Sequence, residues 1–135
     1  MEIHYIGFIK AYDTNICTAK SLSEMLMPHK VEIESKDSII NYLSSGIFLC
    51  GAMSYIYDEE NNPIGDLNYY TDGVFIWPSY YLYYMRKYDN LEINKDFIEH
   101  ARRNNFVING LSKKQLVDLE NLFLLEWAKR KINSR

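Results

Sequence analysis

Three histidines, two cysteines and a run of carboxylates are the side chains of this sequence with chemistry to offer. His4, His29 and His100 lie far apart, and none stands one helical turn from another or beside a cysteine pair. Zinc needs three or four converging ligands, so this spacing offers no metal site. Cys50 sits in the apolar run Phe48-Leu49-Cys50-Gly51, where burial would raise its pKa and leave it inert. Cys17 falls in a polar loop, and either thiol would need a distant histidine as its base. With no export signal, two thiols are expected rather than a disulfide. Gly65 and Gly73 flank turns and open no glycine-rich loop before a helix, so there is no phosphate cradle. No cofactor is expected.

The acids say more. Asp58, Glu59, Glu60, Asp66 and Asp72 gather around one turn-rich segment, and nine of the twelve tyrosines lie between Tyr55 and Tyr88. The acids lack the spacing of a calcium loop. A hydrolytic carboxylate pair needs a fixed separation, which this pattern does not set. What remains is a solvated hairpin tip or an acidic patch facing a partner. Tyrosine combines a large apolar body with a polar tip, which suits a core margin or a binding surface. Stacking on nucleic-acid bases is opposed by the acidic surroundings, so no nucleic-acid partner is expected.

The reading is therefore a binding protein rather than an enzyme. Its partner-binding residues are Asp58, Glu59, Glu60, Asp66, Tyr70 and Asp72. Tyr70 is included because strand alternation sets it opposite Tyr69, and one of the two should face out. Exposed charges contribute little to stability, so reversing Asp58, Glu59 and Glu60 to lysine is expected to spare the fold. The alternative is a small hydrolase in which Asp66 or Asp72 has a raised pKa.

These residues must be positioned by the elements around them. The 135 residues are enough for one domain, and 47% hydrophobic with 24% charged residues is ordinary globular composition. The chain has no apolar run of the roughly 18 residues a membrane helix needs. Its start lacks a basic region followed by an apolar one, so a soluble cytoplasmic protein is expected. Ile3 to Tyr12 reads as a buried strand. Ser21-Leu22-Ser23-Glu24 is a capping box for a short helix that Pro28 stops. Ser35 is the expected N-cap of a helix from Lys36 to Ser45, with Gly46 as its stop. Ile47 to Tyr57 and Asp66 to Tyr70 read as a hairpin, and Val74 to Trp77 as a further strand after the Asp72-Gly73 turn.

Pro78 is expected to start a helix running to about Tyr88, with Tyr81, Tyr84, Met85 and Tyr88 on one face. Asn94 caps a helix to Arg103 whose inward residues are Phe97, Ile98 and Ala101. The box Ser112-Lys113-Lys114-Gln115 opens a last helix to about Lys131, with Leu116, Leu119, Phe123 and Trp127 inward. The order predicts an α+β fold: an antiparallel sheet of three to four strands packed against helices, with a helical C-terminal third. Trp77 is expected to be buried between the sheet and the helix begun by Pro78.

Gly65-Asp66, Tyr69-Tyr70-Thr71-Asp72-Gly73, Trp77-Pro78, Tyr83-Tyr84 and Phe97-Ile98-Glu99-His100 form an ordered series. It resembles a group of small bacterial proteins of the immunity class, which includes inhibitors encoded beside contact-dependent growth-inhibition toxins. The resemblance implies a cytoplasmic protein that neutralises a toxin domain, possible targets including nucleases. Charge is compatible with a basic partner: residues 1–100 hold 15 acids and seven Lys/Arg, whereas residues 101–135 hold three acids and eight.

Overall fold

The computed structural model describes residues 3–31 and 36–133, with side chains described as far as residue 128. The first element, β1 (His4–Tyr5), is much shorter than the expected strand. Two features end it. Gly7 has a φ of +73°, and the Tyr81 ring lies where its side chain would be, 2.1 Å from an ideal Cβ. Farther on, the amides of Tyr12 and Asp13 both turn back to the Ile9 carbonyl. Helix α1 (Leu22–Met25) carries the full capping box on Ser21 and Glu24. Helix α2 (Lys36–Ser44) follows; its expected N-cap, Ser35, lies outside the described residues.

Strands β2 (Ile47–Tyr57) and β3 (Pro63–Thr71) form the hairpin, and β4 (Phe75–Pro78) lies along β3. The sheet order is β1-β4-β3-β2. The β2–β3 and β3–β4 pairs are antiparallel. Contrary to an all-antiparallel sheet, β1 joins β4 in parallel, with His4 beside Phe75 and Tyr5 beside Ile76. A parallel pair needs a long crossover, and the intervening helices and hairpin supply it. The helices α3 (Ser79–Lys87), α4 (Lys95–Arg103) and α5 (Lys113–Asn133) complete an α+β fold.

Alternation along β3 divides the sheet into two faces. Tyr69 points to one, where it meets Phe8 and Phe123 of α5, with ring centroids 6.0 and 4.7 Å away. Tyr70 and Trp77 are cross-strand partners on the other. There Trp77 packs against Tyr42 of α2 and Phe97 of α4, and donates its indole N–H to the Leu43 carbonyl at 3.3 Å. Trp77 is buried as expected, but its cover differs from the expectation: α2 and α4 close over it. Pro78 is the N-cap of α3 rather than its first helical residue, and α3 then turns along the β3 edge beyond the end of β4. Ser79 bridges that edge, accepting from the Asn68 amide at 3.1 Å and donating to the Asp66 carbonyl at 3.0 Å. A hydroxyl thus supplies the pairing that β4 is too short to give.

Helix α4 buries Phe97 and Ala101, with Ile98 half-buried, and Asn94 caps it through the Phe97 amide. Helix α5 opens with the reciprocal Ser112–Gln115 box and buries Leu119 and Phe123.

Candidate functional site

The hairpin tip is organised by Asp58. Its Oδ1 accepts from the Glu60 and Asn62 amides at 2.9 and 2.8 Å, which fixes the turn. Its Oδ2 accepts from Tyr83 at 2.6 Å and Lys87 at 3.0 Å, which ties that turn to α3. The residue is buried, 6% exposed. Burial pushes its carboxyl pKa up, but the hydrogen bonds from Tyr83, the Asn62 amide and Lys87 outweigh this and hold it well below the usual carboxylate range.

Glu59 continues the clamp. It accepts from Lys87 at 2.8 Å, from Tyr84 at 3.0 Å and from the Tyr88 hydroxyl. Burial again acts upward on its pKa, while Lys87, Tyr88 and the backbone bring it down to about 2. Glu60 meets the same ammonium at 2.7 Å but keeps an exposed side chain. With three carboxylates around it, Glu59 and Glu60 foremost, Lys87 is held charged far above the ordinary lysine range. Tyr12 donates to the Tyr57 carbonyl at 2.7 Å and its oxygen lies 2.8 Å from that of Tyr84, closing the network from the N-terminal segment.

The idea of a solvated tip therefore fails for Asp58, and so does the expectation that its reversal spares the fold. A lysine at position 58 would set a second cation against Lys87 inside the hairpin, with the Tyr83 hydroxyl and two amides left without their acceptor. Spacing could not reveal this, because the donors come from a helix 25 to 29 residues onward. Stability should follow pH accordingly. Glu59 has a folded pKa of about 2 against an ordinary value of 4.5, so its contribution is complete above the unfolded value and disappears as pH falls through the folded one. Asp58 acts in the same direction. The urea midpoint should decline from pH 5 toward pH 2, and less steeply in Glu59→Gln; parallel declines would show that Glu59 contributes nothing to the clamp.

Asp72 is also interior, with a side chain 1% exposed. It accepts from the Val74 and Phe75 amides at 2.9 and 2.7 Å and from Tyr42 at 2.7 Å, and faces His100 Nε2 at 3.2 Å. The turn is thereby locked to α2 and α4. Its oxygens are occupied by the protein's own groups, which removes the access that a hydrolytic role or a partner contact would need.

Asp66 and Tyr70 fare differently. Asp66 is exposed, and Tyr70 is half-buried beside Phe48, with ring centroids 6.1 Å apart. Residues 66, 68 and 70 share the Trp77 face of β3, which α2 and α4 cover over β4 but which stays open toward β2, while Leu67, Tyr69 and Thr71 are buried on the other side. Across the ladder, Tyr55 is the partner of Asp66, and Tyr57 packs edge-on against Tyr55 at 5.5 Å. Phe48, Tyr55 and Tyr57 are 55%, 57% and 50% exposed, giving three open rings, Tyr55 opposite the exposed carboxylate of Asp66 and Phe48 opposite Tyr70 farther along the ladder. In the sequence, Ile47 to Tyr57 reads as one apolar run in which these rings do not stand out. The signal available was Gly51, which interrupts the run where the ladder shifts register.

Elsewhere the chemistry is sparse. Cys17 is exposed and Cys50 half-buried, and both are free thiols. Burial and the nearby Glu120 push the Cys50 thiol up to about 11, in line with an inert cysteine. Cys17 opens onto a surface groove near β1 whose lining includes His4, Asp96 and Glu126. Among the described residues, no group of three metal-ligating side chains converges. Compared with family models, curated proteins and solved structures, the chain matches none. No described helix is long and apolar enough to cross a membrane.

Proposed function

We propose that this protein is a cytoplasmic immunity protein that binds a cognate bacterial toxin domain and occludes its active or substrate-binding surface. The supporting observation is the outer face of the hairpin, where the exposed carboxylate of Asp66 lies opposite Tyr55, with Tyr57, Tyr70 and Phe48 alongside. Aromatic rings dominate the energy of protein interfaces, and a rim carboxylate sets the rate of encounter. The likeness of residues 65–100 to toxin-immunity proteins supplies the kind of partner. A nuclease toxin, basic because it must hold phosphates, would complement the acidic first hundred residues. The binding set is thus Glu60, Asp66 and Tyr70 of the residues expected from the sequence, joined by Tyr55 and Tyr57. Asp58 and Asp72 instead hold the hairpin and turn that carry this face.

Co-purification with the toxin encoded by the adjacent gene tests the reading. In that complex, Asp66→Lys should slow association about tenfold at low salt and flatten its salt dependence, because steering by exposed charge is screened. Tyr55→Ala should raise the dissociation rate by roughly tenfold or more, as loss of an interface anchor does. Binding unchanged by both substitutions would move recognition off this face.

A further inference from the structure

Among the described residues, every strand edge of the sheet but one is covered. β1 meets Thr18, whose hydroxyl donates to the Tyr5 carbonyl at 3.5 Å, and the chain just beyond it is flanked by Lys20, whose amide donates to the Phe8 carbonyl at 3.1 Å and whose carbonyl accepts from the Lys10 amide at 2.8 Å. β3 is closed by Ser79 where β4 ends. β2 is the last strand in the order, and no described strand lies along its outer side. It is also the longest strand, and residues 46–57 include no charged side chain. Proteins guard such an edge with lysine, proline or a bulge. Here the ladder shifts on either side of Gly51, but the second irregularity places Met53 at a φ of +54° with its side chain wholly exposed. A methionine in the left-handed region costs conformational energy, and this one presents an apolar knob to solvent.

The geometry points to a second copy of this chain as the occupant of that edge, with β2 lying antiparallel to β2 of its mate about a two-fold axis. Charge favours this choice. An acidic surface repels its own copy, and the uncharged β2 run lets two copies meet without apposing like charges. Area favours it as well. At about 200 Å² for a whole aromatic side chain, three half-exposed rings contribute roughly 300 Å² per copy. Met53 and the strand backbone bring the total for two copies close to the roughly 1,000 Å² that a specific interface requires. Helix α5 lies against β2 and leaves Leu122 and Leu125 39% and 64% exposed, further apolar surface on an adjoining element.

This inference does not depend on the toxin reading. Tyr55 and Tyr57 belong to both surfaces, so a toxin would capture the monomer in competition with the second copy. Sedimentation velocity of the full chain should show a species of twice 16.0 kDa at micromolar concentrations. Met53→Lys and Ser54→Lys, both at exposed positions, should each weaken it by about tenfold or more by setting two like charges together at the two-fold axis. Hydrogen exchange of the unaltered protein offers a readout free of any variant's folding: amides of β2 should slow on concentration. A monomer at all concentrations, a dimer indifferent to both lysines, or β2 exchange that ignores concentration would overturn the proposal. Failure of Asp66→Lys to affect toxin association would leave it standing.

Discussion

Asp13→Ala should destabilise the fold by roughly 3–5 kcal/mol, since removing one partner from a buried charged network strands the others. Asp13 is 1% exposed and accepts from Tyr69 at 2.6 Å and from Tyr80 at 2.7 Å. The Tyr80 oxygen in turn accepts from the Ile9 amide at 2.9 Å. One carboxylate thus joins the turn after β1, the C-terminal half of β3 and the first turn of α3. Burial raises its pKa, and the hydroxyls of Tyr69 and Tyr80 together with Trp127 pull the other way. Alanine leaves two phenol donors inside without their acceptor. An asparagine side chain would keep one carbonyl oxygen, so Asp13→Asn should cost distinctly less than alanine. Urea unfolding of the two variants measures the difference. Equal and small losses would mean that water satisfies the tyrosines.

This network shows where sequence reading ends. The capping boxes at Ser21 and Ser112, the Asn94 cap and the Asp72-Gly73 turn are local signals, and each marks the element it was expected to mark. The hairpin was legible for the same reason, although β3 begins at Pro63, three residues before the expected Asp66. Asp13 was not singled out, because its meaning depends on residues 56 and 67 positions away. The acids at the hairpin were noticed for their clustering, but clustering could not separate Asp58 and Asp72, bonded inside, from Asp66, left open. The deciding partners, Tyr83, Lys87 and Tyr42, come from other elements. The parallel strand was missed for a related reason: apolar residues on both faces identify burial, not the direction of pairing.

Trp77→Ala should cost about 3–5 kcal/mol, the usual range for emptying a buried aromatic site. Trp77 is 1% exposed and lies between Tyr42, Phe97 and its cross-strand partner Tyr70. Gly46 shows how closely it fits, since a Cβ there would stand 2.5 Å from the indole ring. Trp77→Phe should lose less, giving up the bond to Leu43 and part of the volume while keeping contacts with both helices. The measurement also separates the two meanings of the Tyr-Thr-Asp-Gly…Trp-Pro series. If it records a fold, Trp77→Ala will lower the urea midpoint and weaken binding of the proposed toxin partner only as far as the folded fraction falls. Asp66→Lys will do the reverse, slowing association in a protein as stable as before. A Trp77→Ala protein of normal stability that fails to bind would instead put the tryptophan in the recognition surface, against its burial under α2 and α4.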